Sequence, residues 1–136
     1  MFLKVIHLIV VGKLKDKNLE EIERGYLKRI PTLKIIEVKK EEDVLAKVKG
    51  DLYLLEEKGK LMDSPEFSNW LYKSMEKNEF SLAIGGAAGH HQSVISASKG
   101  SISLSPLTFP HKLARILLVE QLYRAMTLRE GHPYHK

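Results

Sequence analysis

The stretch FSLAIGGAAGH, residues 80 to 90, is an apolar run of strand length that breaks directly into glycines. An apolar run without alternation is what a strand buried on both faces requires, so it points to a parallel sheet covered by helices. The GGxxG spacing places permissive backbone at the carboxyl end of that strand, where open α/β sheets bind ligands. Gly85, Gly86 and Gly89 allow positive φ and close backbone approach, which serves a plain tight turn as well as a ligand loop. The loop is not a dinucleotide fingerprint, which needs GxGxxG and an acid about twenty residues later. Nor is it a phosphate loop, because GK followed by Ser or Thr is absent.

Working outward, VIHLIVV at 5 to 11, LKIIEV at 33 to 38, LYLL at 52 to 55 and SISLS at 101 to 105 read as four further short strands. Helices fill the gaps. Asn18 with Glu21 reads as an N-cap and capping box, Leu19, Ile22, Tyr26, Leu27 and Ile30 form an apolar stripe, and Pro31 stops that helix. Asp63 or Ser64 before Pro65 opens a second helix reaching Lys77, and a long last helix spans Pro110 to Arg129. The charged run Glu41 to Lys49 predicts a short exposed helix ahead of Gly50. Alternation of strand and helix gives an α/β fold, a mostly parallel sheet with helices on both faces, as one domain over residues 1 to 136.

Composition narrows the function. A chain of 136 residues fits one core that buries roughly two-thirds of the unfolded surface. It contains no cysteine, which excludes disulfides, thiolate metal sites and a Cys nucleophile and fits a reducing compartment. Phe2 to Val11 is short and contains Lys4 and His7, so it reads as a buried strand, not a signal peptide. No run approaches the roughly 18 apolar residues of a membrane span, and the expectation is a soluble, cytoplasmic protein. A net charge of +5 favours polyanionic partners through counterion release.

Phe80 to Val119 contains neither Asp nor Glu, so the pocket flanked by its two loops is expected to be acid-free. His90, His91 and His111 lack HExxH spacing, and no metal is expected. His111 is read as a brace for the last helix, and His7 as structural. Ile116, Leu117, Leu118 and Val119 point around most of that helix, which asks for burial from two sides. A second subunit would supply one side, or the helix is central within one protomer. Glu120, one turn before Arg124, reads as its partner. Lys112, Arg115, Arg124, Arg129, His132, Tyr134, His135 and Lys136 make the tail basic and aromatic, either a frayed terminus or a surface that stacks bases and holds phosphates.

Four motifs together carry a resemblance: IGGxxG at 84 to 89, SLSPLTFPH at 103 to 111, YRA at 123 to 125 and PYH at 133 to 135. With VGKLK at 11 to 15, GYLKRI at 25 to 30 and LEEKGK at 55 to 60, the chain resembles, over nearly its whole length, the RlmH family of ribosomal large-subunit pseudouridine methyltransferases in the SPOUT class. The resemblance implies a homodimer and a C-terminal trefoil knot, which no sequence pattern suggests because true knots are rare.

It further implies S-adenosylmethionine held among three loops by Leu55, by Gly85 and Gly86, and by Leu104, Ser105, Pro106, Leu107, Thr108 and Phe109. Methylation then falls on N3 of a pseudouridine in 23S rRNA within the assembled ribosome, not on DNA. Arg124, His132, Tyr134 and Lys136 are the expected substrate contacts and His135 the proton acceptor, acting at the neighbouring subunit's pocket. The tail is accordingly expected to serve substrate and not fold. Three departures stand out: relatives are usually longer at Glu41 to Lys49, Ala87 and Ala88 replace residues that vary in the family, and Phe109 stands where relatives often carry Leu. The competing readings are a noncatalytic ribosome- or RNA-binding α/β protein and a small nucleotide-binding regulatory protein.

Overall fold

Strands β1 (Ile6–Val11), β2 (Leu33–Val38), β3 (Asp51–Leu61), β4 (Phe80–Ile84) and β5 (Gly100–Ser103) pair in the order β2-β1-β4-β3-β5, every neighbour parallel. The computed structural model describes residues 4–136; Phe2 and Leu3 of the expected N-terminal run lie outside them. Helices α1 (Lys17–Leu27), α2 (Ser64–Lys77), α3 (Gln92–Ala97) and α4 (His111–Glu130) connect or follow the strands.

Alternate residues of each strand serve opposite faces, as the period of two demands. Ile6, Leu8 and Val10 of β1 join Phe80, Leu82 and Ile84 of β4 in the larger core, beneath Phe67, Leu71 and Met75 of α2 and Leu118, Val119 and Leu122 of α4. On the other face Ile9, Leu52, Leu54 and Ala83 pack with Val44 and with Val94 of α3. Both faces are covered, though α3 is only six residues long, so the second layer is thin.

Local signals set most element ends. Asp63 caps α2: its side chain accepts from Glu66 N–H while the Glu66 carboxylate accepts from Asp63 N–H, with Pro65 in the first turn. The cap of α1 is Asp16, not the expected Asn18; its carboxylate accepts the Asn18 and Leu19 amides, both at 3.0 Å. Lys15, with φ at 50°, turns the chain so that Asp16 is extended and ready to cap. The α1 stripe also differs, for Ile22 is 49% exposed and Glu23 is buried instead.

Glu41 to Lys49 is not an exposed helix. It forms two short 3₁₀ turns, 41–43 and 45–47, that bury Glu41 and Val44 against the sheet.

Helix α4 contacts both α1 and α2. Ile116, Leu118 and Val119 are buried by the chain's own elements, whereas Leu117 is 41% exposed. The central-helix reading therefore accounts for three of those four apolar positions. Arg115 is not part of a free basic tail, because it lies buried between α1 and β2. Its guanidinium donates to Glu23 Oε2 at 2.7 Å, Glu23 Oε1 at 2.8 Å and Glu37 Oε2 at 2.7 Å. Burial alone would lower the Arg115 pKa, but the hydrogen bonds from Glu23 and Glu37 outweigh it and the group is held more firmly charged.

Candidate active site

Three adjacent strands, β4, β3 and β5, end beside one another, and a cleft of about 590 Å³ opens across their carboxyl ends. That volume lies within the range of small-molecule sites. Each wall has a local cause. Beyond Ile84 the chain closes a turn in which Gly89 N–H donates to Gly86 C=O at 3.0 Å, and Gly89 takes φ +77°. Gly85 does not take positive φ; what it needs is space, since a Cβ there would lie 3.0 Å from the Gly89 carbonyl carbon. Gly89 and Gly85 thus take two separate tasks that the motif alone could not distinguish, and Gly86 is required for neither.

The second wall, SLSPLTFPH, is knitted by its own hydroxyls. Ser103 Oγ donates to Ser105 C=O at 2.9 Å and accepts the Ser105 amide at 3.2 Å, and Ser105 Oγ accepts the Leu107 amide at 3.0 Å. Short side chains that bond the neighbouring backbone build such turns without regular structure. The third wall comes from β3. Leu55 and Lys60 both pair with Ile102, so residues 56 to 59 bulge out of the ladder. Gly59 is required there, because a Cβ would lie 2.5 Å from the Ile102 carbonyl carbon.

The cleft is lined by Leu55, Gly85, Gly86, Leu104, Ser105, Leu107, Thr108 and Phe109, which brings together all the expected cofactor residues except Pro106. His111 opens α4 at its edge. The cleft is not acid-free: the β3 bulge places Glu56, Glu57 and Lys58 along it. The stretch Phe80 to Val119 does lack acids, but a wall can come from another strand. LEEKGK was visible as a motif, and only the pairing of β3 with β5 shows where its charges go. Among the described residues no group of three His, Cys, Asp or Glu side chains is placed to hold a metal.

The tail residues lie elsewhere. Gly131, at φ 71°, ends α4 and turns the chain back. Tyr134 then packs edge-on against Tyr123, with centroids 4.7 Å apart, and donates to Glu120 Oε2 at 2.8 Å. Its hydroxyl is 3.4 Å from that of Tyr26, near the end of α1. Burial, then the hydrogen bonds to Tyr26 and Glu120, push the Tyr134 phenol well above its ordinary pKa. Arg124 donates to Glu120 Oε2 at 2.7 Å, as its spacing suggested, and lies 5.0 Å from the Tyr134 ring centre. The bond to Glu120 chiefly raises the Arg124 pKa. His135 meets Arg124, while His132 and Lys136 are exposed.

None of these side chains lines the cleft. About 20 Å of helix separates His111 from Arg124, at about 1.5 Å per residue. Since α1 leads from the carboxyl end of β1 back toward the start of β2, the tail docked at its last turn sits toward the amino ends of the strands, opposite the cleft.

Comparisons with known proteins give the family and the fold. A family model described as "Predicted SPOUT methyltransferase" matches residues 5–135. This chain belongs to the SPOUT methyltransferase family. Relatives named Ribosomal RNA large subunit methyltransferase H include one from Prochlorococcus marinus (strain NATL1A), 41% identical over 137 residues covering 95% of this chain and 94% of the relative. Another, from Acholeplasma laidlawii (strain PG-8A), is 36% identical over 146 residues, covering 96% and 99%. Among solved structures, a probable methylase family protein from Haemophilus influenzae Rd KW20 superposes with a TM-score of 0.64 at 10% identity, over 99% of this chain and 72% of that one. TrmJ from Z. mobilis ZM4 gives 0.57 at 10% identity, over 93% and 71%. At that identity the likeness carries the SPOUT fold alone. No helix among the described residues is long and apolar enough to cross a membrane.

Proposed function

We propose that this SPOUT methyltransferase moves a methyl group from S-adenosylmethionine to N3 of a pseudouridine in 23S rRNA on the assembled ribosome, as a cytoplasmic homodimer with a threaded C-terminal segment. The observation that carries the reading is the convergence of Leu55, the glycine loop and residues 104 to 109 on one cleft at three strand ends. The names of the rRNA-methylating relatives support the substrate. The methyl donor supplies an electrophilic methyl on a sulfonium, so positioning of donor and acceptor atoms accounts for much of the acceleration. Leu55 and Leu104 offer apolar walls for an adenine, and backbone groups of both loops offer donors and acceptors to its edge. Glu56 and Glu57 are opposite in sign to the sulfonium and ammonium of the donor.

The docked tail favours the dimer. Arg124, Tyr134 and His135 serve a cleft only if that cleft belongs to a second protomer, because their own lies at the opposite ends of the strands. Leu113 and Leu117, 45% and 41% exposed and one turn apart on α4, offer an apolar seam for the partner. His135 accepts a proton from the substrate only once Arg124 releases its Nδ1 lone pair; until then its Nε2–H is a donor to a base carbonyl.

Incubating ribosomes with the protein and labelled S-adenosylmethionine, then mapping the labelled nucleotide, tests the reading. Label on N3 of a large-subunit pseudouridine is expected. Donor binding without transfer to ribosomes or rRNA would favour the noncatalytic RNA-binding alternative.

A further inference from the structure

Glu41 reaches His90, which lines the cleft, from far along the chain. It opens the first 3₁₀ turn after β2, is only 6% exposed, and points Oε2 at the end of the glycine loop. That one oxygen accepts from His90 Nδ1–H at 2.9 Å and from the His91 backbone N–H at 3.0 Å. The His90 side chain is 2% exposed. The loop it ends, Gly-Gly-Ala-Ala-Gly, has no side chain longer than a methyl with which to fix its own shape, and glycine-rich backbone loses most freedom when ordered. An external pin is what such a segment lacks.

The pair is a costly way to fill space. Glu41 Oε1 and His90 Nε2 are both buried without a protein partner, so neither group recovers all the hydration it gives up. Two apolar side chains of the same volume would serve stability as well or better. What they would not supply is direction: a single acceptor holding a ring N–H and the next backbone N–H fixes where the loop ends and where α3 begins.

We propose that Glu41 is a positioning residue, clamping His90 and His91 so that the glycine loop keeps the shape that receives the methyl donor. The inference rests on the reading of the cleft as the donor pocket.

The clamp predicts how four variants behave. Glu41→Gln keeps an acceptor oxygen and the shape, and His90→Asn keeps a donor at the Nδ1 position; both should bind S-adenosylmethionine within about threefold of wild type. Glu41→Met removes the acceptor at similar length, and should raise the donor KM about tenfold while leaving kcat within about twofold. Its amides at 85 to 91 should exchange with solvent faster than wild type even without ligand. If Glu41→Met melts cooperatively yet shows wild-type KM and wild-type exchange in this loop, the clamp is refuted. Should Glu41→Met fail to fold, His90→Leu, which leaves the His91 bond in place, carries the test, and unchanged KM and exchange there refute it equally. Wild type that does not bind the donor by calorimetry overturns the pocket reading instead, while loop exchange still judges the clamp.

Discussion

Arg124 Nη1 donates to His135 Nδ1 at 3.0 Å. A guanidinium has no lone pair to offer, so the imidazole must accept at Nδ1 and carry its proton on Nε2. His135 in this arrangement is a neutral hydrogen-bond donor toward solvent or a partner, with its basic nitrogen taken. His135→Gln, whose amide nitrogen replaces Nε2–H, should retain most ribosome methylation if that donor role is the one used. His135→Ala should lose about tenfold in kcat/KM, about 1.4 kcal/mol. Equal loss in both variants would favour proton abstraction by a released His135.

The tail is part of the fold as well as a candidate substrate arm. Tyr134 spans Tyr123, Glu120 and Tyr26, contrary to the expectation that the tail serves substrate and not fold. Tyr134→Phe keeps the ring contact and loses the hydroxyl, which should cost about 1 kcal/mol and about 3 °C in Tm. The raised phenol pKa fixes the sign of the pH effect. Below the unfolded value near 10 the folded phenol is protonated and its contribution is complete; above that pH the unfolded state loses the proton first and stability falls. Wild-type Tm should therefore drop more steeply than that of Tyr134→Phe between about pH 9.5 and 11. Parallel curves would show that the hydroxyl is not held as described.

Arg115 pins α4 to α1 and β2 through Glu23 and Glu37. Replacing it with Ala strands a carboxylate at Glu23, 6% exposed, and should cost about 3–5 kcal/mol, or about 10 °C in Tm. The double variant Arg115→Met with Glu23→Met should recover most of that loss, since apolar pairs of similar volume replace buried ions at little cost. Additive losses in denaturant melts would mean the residues act separately.

What could be read along the chain was what local chemistry determines. Phe80 to Ile84 is uniformly apolar because both faces are covered, and Asp63 with Pro65 and Glu66 announces α2 within four residues. Asp16 and Asn18 are equally good caps two residues apart in the sequence, and only the Lys15 turn decides between them. The Glu41–His90 contact spans 49 residues and has no local signature. The convergence of Leu55 with the two loops was available only through resemblance. Its physical basis, the adjacency of β4, β3 and β5, is a property of sheet order that no single segment contains.

Gly86 in the glycine loop and Gly59 in the β3 bulge give a sharp contrast. Gly86→Ala would place its methyl 3.5 Å from Val11 Cγ1, an ordinary contact, whereas Gly59→Ala drives it into the Ile102 backbone. The first should change stability by less than about 1 kcal/mol, and the second should cost about 3 kcal/mol or more through forced displacement of β3 from β5. Comparable melts for the two would contradict the close approach at the bulge.

The oligomeric state is tested at Leu117 and not at its neighbour. Leu118 is 0% exposed within one protomer, so a charge there unfolds the chain whatever its assembly. Leu117 and Leu113 lie one turn apart on α4 and are 41% and 45% exposed, so they are open to a partner without supporting the monomer core. Leu117→Lys should leave Tm at high dilution nearly unchanged and shift the mass measured by light scattering at micromolar concentration toward 15.5 kDa, that of one chain. It should also abolish ribosome methylation, because each cleft then loses the tail supplied by the other protomer. A wild type that is already monomeric and still methylates ribosomes would end both the dimer and the proposed exchange of tails.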